Sequence, residues 1–179
     1  MKTLDIGCGN RKKEGAIGLD RVTLPGVDVV CEIRSRVSIP FKNDLFEEVF
    51  LTDMVEHVDD VPWLLSEVHR ISKDKALVYI RFPHYSGRNA YGDVTHRRYL
   101  SLGAFDHFDP QTESGKRYQY YKSFGRNFPF HIEDISPAAR KLGFRSLVYN
   151  FLDGRKNELR ISRIFPIENV NLKMRVIKN

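Results

Sequence analysis

The 179-residue sequence contains only two cysteines and has no apolar run long enough to cross a bilayer. Such a chain cannot depend on a disulfide framework, and its N-terminal residues lead into a strand-like run without a signal-peptide pattern. Cys8 and Cys31 each end a strand-like run, and two strand spacings of roughly 9–10 Å would separate them, which is too far for a disulfide. We therefore expect a cytoplasmic protein with two free thiols.

The length fits one domain, spanning residues 1–179, with a core of ordinary size. The net charge of +6 is uneven, because residues 111–179 carry 14 Lys and Arg against 6 Asp and Glu. This basic third could attract nucleic acid, a phosphorylated metabolite or an anionic surface, or form the surface of a homodimer. A solvated basic face explains it equally well, so charge alone identifies no partner.

Short apolar runs alternate with helical patterns in the first half of the chain, which predicts an α/β fold: a Rossmann-like, doubly wound and mostly parallel sheet. After the fourth strand we expect a helix with Asp59 or Asp60 as its cap and Pro62 in its first turn. The predicted strands are Lys2–Ile6, Ala16–Asp20, Val27–Cys31, Phe46–Thr52 and Ala76–Phe82.

Periodicity weakens after the fifth predicted strand. Residues 83–131 are rich in aromatics and show no clean helix or strand, which predicts an insertion that acts as a lid over an acceptor site. Beyond it we expect a short helix after Pro137 and a turn at Asp153-Gly154. The remaining predicted elements are the helix Ala138–Leu142, the strands Phe144–Asn150 and Glu158–Phe165, and an edge strand at Leu172–Ile177.

The most specific motif, LDIGCGN at residues 4–10, delivers an acidic residue and two glycines at the end of the first strand. Open α/β sheets bind ligands at that edge, and glycines let a ligand approach the backbone. Asp20 ends the second strand, where it can accept hydrogen bonds from ribose hydroxyls. Arg11 replaces a third glycine and the crossover is short, which disfavours the pyrophosphate of NAD more than S-adenosylmethionine, a donor without phosphate.

Four segments in register, LDIGCGN, GLD, IPFKNDLFEEVFLTDMVEHV and SEVHRISKDKALVYIRFP, resemble a class I S-adenosylmethionine-dependent methyltransferase of the small "type 11"-like kind. The resemblance covers roughly residues 3–83 and implies S-adenosyl-L-methionine as the cofactor. It departs from the family at Arg11 and at Lys75-Ala76, where two glycines are common. The cofactor residues that it implies are Asp5, Gly7, Cys8, Gly9, Asp20, Arg21, Glu32, Ile33, Asp53, Met54 and His57.

Within this resemblance, each part of the cofactor has its own residues. The first-strand acid and the glycines would hold the methionine end, and Asp20 the ribose. Glu32 and Ile33 would flank the adenine. Asp53, Met54 and His57 would line the sulfonium. The alternative is that Asp5 only pairs with a backbone amide, and that Glu56 and Asp59 are solvated charges at a helix end.

The acceptor would lie beyond the ends of the fourth and fifth strands. An oxygen nucleophile must lose a proton, and histidine suits that work near neutral pH. His84 and His96 are therefore the candidate catalytic residues, although either could instead be structural. Tyr85, Arg97 and Arg98 could line the pocket.

The aromatic insertion favours a small-molecule or glycan-type acceptor enclosed in a pocket. The alternatives are methylation of RNA or another nucleic acid, and a non-catalytic scaffold that keeps the sheet without turnover. No metal is predicted, because the histidines lack compact ligand spacing and no carboxylate cluster is evident. The side chains that would bind a nucleic acid, together with aromatics, are Lys116, Arg117, Lys122 and Arg126.

Overall fold

The computed structural model describes residues 1–138, 156–164 and 166–178. Within these ranges seven strands form one sheet, in the order β3-β2-β1-β4-β5-β7-β6. Strands β1 to β5 run parallel to one another, and β7 is antiparallel to both β5 and β6. The strands are β1 Thr3–Ile6, β2 Ile17–Asp20, β3 Val29–Val30, β4 Phe46–Thr52, β5 Ser72–Pro83, β6 Phe130–Ala138 and β7 Asn169–Val176. The predicted Rossmann-like, mostly parallel sheet is confirmed.

Helix α1, Val61–Ile71, connects β4 to β5 and begins as the sequence predicts. The Asp60 side chain accepts a hydrogen bond from the Trp63 N–H at 2.9 Å, and Pro62 occupies the first turn. At the other end, the Ser72 hydroxyl donates to the Val68 carbonyl at 2.6 Å. Because the cap is Asp60, the neighbouring Asp59 stays exposed and is free to pair with the insertion through Arg97.

One face of the sheet is fully buried and the other is only partly covered. Residues of β1, β4 and β5 alternate between the two faces, as the pleat requires. On the partly covered face, the rings of Phe50 and Tyr79 stack with their centroids 4.7 Å apart. Asp5 lies on the same face of the sheet. The buried face includes Leu4, Ile6, Val49, Leu51, Val78, Ile80, Leu172 and Met174.

The insertion at residues 83–131 contains more regular structure than the sequence indicates. It holds helix α2, Glu113–Tyr118, whose cap Thr112 accepts from the Gly115 N–H at 2.9 Å, and several 3-10 turns. A six-residue helix with a central glycine has too little periodicity to be recognised. Five of its aromatic side chains join the main core instead of standing free around a pocket: Phe105, Phe108, Tyr121, Phe128 and Phe130.

Three predictions for the C-terminal part are wrong. Pro137 and Ala138 continue strand β6 and do not start a helix; β6 is a sheet edge, where proline is tolerated. Residues 158–164 form helix α3, Glu158–Ile164, and not a strand. The predicted tail strand exists as β7, but it lies between β5 and β6 and not at an edge. Residues 139–142, the strand Phe144–Asn150, the Asp153-Gly154 turn and Phe165 lie outside the described residues.

Both cysteines are free thiols, as predicted. Cys8 is buried and Cys31 is half-buried, and burial raises the pKa of each thiol. A raised pKa keeps a thiol protonated and unreactive, so both behave as small apolar side chains. Across the described ranges, no helix has the length and apolar character needed to cross a membrane.

Candidate functional site

A cleft of about 500 Å³ opens at the carboxyl ends of β1, β4 and β5. Because neighbouring parallel strands end at one edge of the sheet, residues far apart in sequence meet there. The lining residues are Asp5, Gly7, Cys8, Gly9, Asn10, Arg11, Lys13, Phe50, Thr52, Asp53 and Arg81. Five of the eleven predicted cofactor residues are among them: Asp5, Gly7, Cys8, Gly9 and Asp53.

The glycine loop after β1 is held against β2 by its backbone. The N–H groups of Gly7 and Cys8 both donate to the Leu19 carbonyl, at 2.8 and 3.3 Å. Gly7 has a φ of +72°, and a Cβ there would lie 2.6 Å from the Met54 Cγ. Gly9 has a φ of +51°, and a Cβ there would meet no atom within 4 Å. The loop therefore packs tightly at Gly7 and presents bare backbone to open space at Gly9.

Asp20, at the end of β2, orders this loop. Its carboxylate accepts hydrogen bonds from the Gly9 N–H at 2.9 Å and from the Val22 N–H at 3.1 Å. Each carboxylate oxygen has a second lone pair, so these bonds leave acceptor capacity for hydroxyl groups. The predicted contact of Asp20 with a ribose stays a prediction, and its support of the glycine loop is a second role that the sequence did not indicate.

Asp5 lies at the floor of the cleft. The Lys13 N–H donates to its carboxylate at 2.8 Å, so the amide pairing considered from sequence is present, and the side chain still lines the cleft. Burial raises the pKa of Asp5, and the Lys13 amide and ammonium partly oppose that effect. A partly desolvated carboxylate at this place can accept hydrogen bonds strongly from a cationic ligand.

Asp53 and Arg81 form an ion pair across the ends of β4 and β5. The Arg81 Nε donates to Asp53 Oδ1 at 2.9 Å and its Nη2 to Oδ2, and this pairing raises the pKa of Arg81. Asp53 has a φ of +51°, an uncommon conformation for a residue other than glycine. Arg81 was not predicted as a site residue. It is the strand-register partner of Thr52, another lining residue, at the ends of the adjacent strands β4 and β5. That position is the signal that could have identified it.

Four predicted cofactor residues, among them Glu32 and Ile33 on the adenine side, lie outside the set that lines the cleft. Arg21 and Glu32 are exposed, and Glu32 pairs with Arg34. Ile33 is half-buried against the main core. Met54 is buried behind Gly7. The cofactor contacts expected of these four residues stay predictions.

Glu56, His57 and His96 form a compact cluster beside the cleft. Glu56 and His57 belong to the 3-10 turn Val55–His57, which begins two residues after Asp53. The insertion brings His96 to them, because the Arg97 N–H donates to the Glu56 carbonyl at 2.9 Å. Edge-to-face contact places the two imidazole centroids 4.7 Å apart. One potential ligating atom from each of the three side chains lies within 4.8 Å of the others.

Glu56 is not a solvated helix-end charge. It is 1% exposed, and its Oε2 is buried without a hydrogen-bond partner among the described residues. Burial raises the pKa of Glu56 to about 7, with a smaller contribution from Asp53 in the same direction. Sequence reasoning missed this residue because its burial depends on His96 and Arg97, which lie about 40 positions away in the chain.

The two candidate catalytic histidines occupy different environments. His84 is fully buried: its Nδ1 contacts the Ser86 hydroxyl at 2.8 Å and its Nε2 contacts Glu158 Oε1 at 2.7 Å. His96 hydrogen-bonds to the Ala90 carbonyl through Nδ1, at 2.9 Å, and its Nε2 lies 4.0 Å from Glu56 Oε1. His84 therefore ties the insertion to α3, whereas the Nε2 of His96 makes no close hydrogen bond to any residue that the structure describes.

A family model described as "Methyltransferase domain" matches residues 1–148. A SAM-dependent methyltransferase from Archaeoglobus fulgidus superposes with a TM-score of 0.56 and 20% identity, over 97% of this chain and 85% of that one. An S-adenosylmethionine-dependent methyltransferase from Mesorhizobium loti gives a TM-score of 0.58, 11% identity and coverages of 97% and 90%. The cyclase SpnF gives a TM-score of 0.56, 13% identity and coverages of 99% and 76%, so the likeness shows the fold and not the reaction. No curated protein matches the sequence.

Proposed function

Because the chain belongs to the methyltransferase-domain family and has the class I fold, we propose that it transfers a methyl group from S-adenosyl-L-methionine to a small-molecule or glycan-type acceptor. The observation that carries the proposal is the cleft at the carboxyl ends of β1 and β4, whose wall is the glycine loop and whose floor is Asp5. The cofactor and family predicted from the sequence agree with the matching family model.

The cleft residues fit this donor. Asp5 supplies an acceptor for the ammonium of the methionine end, and the open space at Gly9 lets that end of the donor approach the loop backbone, while the Gly9 N–H itself stays bonded to Asp20. The carboxylate of Asp53 would face the positive sulfonium, and Asp20 would accept from the ribose hydroxyls. A cleft of about 500 Å³ is within the range of sites for ligands of this size.

The donor, when bound, supplies an activated methyl group that an acceptor atom attacks as the carbon–sulfur bond breaks. The protein then has to orient the acceptor and exclude water. Of the two predicted histidines, the geometry favours His96 on the acceptor side, because both ring nitrogens of His84 are engaged in the interior. The ion pair of Asp53 and Arg81 lines the cleft between the donor end and the acceptor side.

A small acceptor fits the insertion better than RNA does. Arg126, one of the basic residues considered for phosphate binding, pairs with buried Glu67 at 2.6 Å and stacks over Trp63 at 4.6 Å. It is therefore committed to the fold. Lys116 and Arg117 remain exposed beside Tyr118. If the protein bound a single-stranded RNA in a salt-sensitive way, and Arg117→Ala removed that binding, the result would support RNA as the acceptor.

The free thiols favour a reducing compartment, and we place the protein in the cytoplasm. The basic strand β7 is hydrogen-bonded on both edges, so a homodimer contact along the sheet would use the edge strand β6. The proposed reaction itself requires one partner, the acceptor molecule.

Calorimetric titration of the purified protein with S-adenosylmethionine and S-adenosylhomocysteine tests the proposal. We expect binding in the micromolar range for both and none for NAD. Asp20→Ala should weaken both by about 10- to 100-fold, because it removes a charged acceptor and loosens the loop held through Gly9. Asp134→Ala, on the exposed edge strand β6, should leave both affinities unchanged. If neither sulfur compound binds, the proposal fails and the scaffold alternative stands.

A further inference from the structure

We propose that Glu56, His57 and His96 form a binding site for a divalent first-row metal cation beside the cleft. Two imidazoles and one carboxylate are ligands that zinc, manganese, iron and cobalt ions accept, and three protein ligands leave coordination positions open. Their ligating atoms already lie within 4.8 Å of one another. Metal bonds of about 2.1 Å require ligand atoms about 3.4 Å apart in a tetrahedral site, so side-chain adjustments of about 1 to 1.5 Å complete it.

In the neutral imidazoles, the hydrogen bonds around the cluster place the lone pair on the nitrogens that would bind a metal. The Nδ1 of His96 donates to the Ala90 carbonyl at 2.9 Å, which places the lone pair on Nε2, the atom 4.0 Å from Glu56 Oε1. Four ångströms is too long for a hydrogen bond between them and fits two ligands of one ion. Histidine ligands of metals usually donate their second N–H to a carbonyl or carboxylate in this way.

His57 is oriented by a relay that ends on a carboxylate. The Thr95 hydroxyl donates to Asp93 Oδ1 at 2.7 Å, so at 3.0 Å it accepts from the Nδ1 of His57. The His57 Nε2 then carries the lone pair. Asp93 is held by this relay and by the Thr95 N–H at 2.8 Å, so both histidines have a fixed tautomer with Nε2 free for a metal.

Glu56 provides the second, independent observation. The residue is almost completely inaccessible, and its Oε2 has no hydrogen-bond partner within residues 1–138, 156–164 and 166–178. An unpaired buried carboxylate oxygen destabilises a fold, and native proteins rarely keep one without a function. A cation among the three side chains would neutralise the charge of this carboxylate, and bidentate coordination through Oε1 and Oε2 would also satisfy the unpaired oxygen.

The place of the site suggests its use. Glu56 follows the cleft-lining Asp53 by three residues, so a cation there stands next to the acceptor end of the cleft. Its open coordination positions could hold an acceptor oxygen and favour that oxygen's ionised form. This use rests on the proposed methyl transfer, whereas metal binding itself does not.

Titration of tag-free, chelator-treated protein with Co²⁺, Mn²⁺ and Zn²⁺ tests the site, with calorimetry for affinity and Co²⁺ absorption for the ligand set. We expect one equivalent of at least one ion at micromolar or tighter affinity. Glu56→Gln and His96→Ala should each abolish it, and Thr95→Val should weaken it about 10- to 100-fold by releasing His57. His131→Ala removes a half-exposed histidine outside the cluster and should have no effect.

S-adenosylhomocysteine binding, measured on the same samples, separates this inference from the proposed function. Metal binding without binding of the sulfur compound would leave the cation site standing and remove the methyltransferase proposal. Binding of the sulfur compound with no metal bound, or with metal binding unchanged in Glu56→Gln and His96→Ala, would overturn the cation site alone. Circular dichroism of each variant shows whether it is folded.

Discussion

Gly7→Ala is expected to abolish binding of S-adenosylmethionine and to destabilise the protein by about 3 kcal/mol. The new methyl group would lie 2.6 Å from Cγ and 3.0 Å from Cβ of Met54, a buried side chain that cannot move without disturbing the core. The residue would also be held at a φ of +72°. Urea unfolding and calorimetric titration of the variant measure the two effects.

Gly15→Ala is the matched control for this substitution. Gly15 has the same φ of +72°, but a Cβ there would meet nothing within 4 Å, and the residue does not line the cleft. Only the backbone strain of about 1 kcal/mol should remain, with donor affinity unchanged. Equal losses of stability in the two variants would show that the contact with Met54 does not contribute to the destabilisation. Binding of S-adenosylmethionine by Gly7→Ala would show that close packing of the loop at this residue is not needed for donor binding.

Glu56→Gln is expected to stabilise the metal-free protein by up to about 3 kcal/mol above pH 7, because it removes a buried charge. The folded protein raises the pKa of Glu56 from 4.5 to about 7. Below pH 4.5 the carboxyl group is protonated in both the folded and the unfolded state, so the gain is absent there. Between pH 4.5 and 7 only the unfolded state ionises freely and the gain grows; above pH 7 it is constant.

Thermal unfolding in the presence of a chelator, at pH values from 4 to 8.5, measures this difference. A gain of about 3 kcal/mol corresponds to roughly 6 to 12 °C in Tm for a domain of this size. Glu48→Gln, which neutralises a half-buried glutamate on β4, should give no comparable pH-dependent gain. A Glu56→Gln variant that is less stable at pH 8 would mean that the carboxylate is stabilised by its surroundings, and a gain that does not change with pH would mean that ionisation of Glu56 is not its cause.

Together, these experiments distinguish what Glu56 does for stability from what it does for binding. A substitution that stabilises the metal-free protein and abolishes metal binding identifies a residue kept for its function at some cost to the fold. Loss of both stability and binding would instead indicate a structural residue. Glu67 illustrates that contrast, since it is equally buried but pairs with Arg70 and Arg126.

The sequence by itself determined the parallel half of the sheet, the capped helix after β4 and the glycine loop. Their signals are local: an apolar run of strand length, an aspartate with proline two residues later, and two glycines at the end of a strand. The same runs place Asp5 and Asp53 at one edge, because parallel strands end together. Such features follow from the chain within about ten residues of each position.

The tertiary structure alone decided the position of β7 between β5 and β6, the helical state of residues 158–164 and the burial of Glu56. Residues 158–164 have too few apolar positions to separate a strand from a helix, and contact of Glu158 with His84 settles where the segment packs. His84 and His96 look alike in the sequence; the first is enclosed in the interior and the second is brought to Glu56 by the insertion. These outcomes depend on contacts between residues about 30 to 100 positions apart, which a local pattern cannot encode.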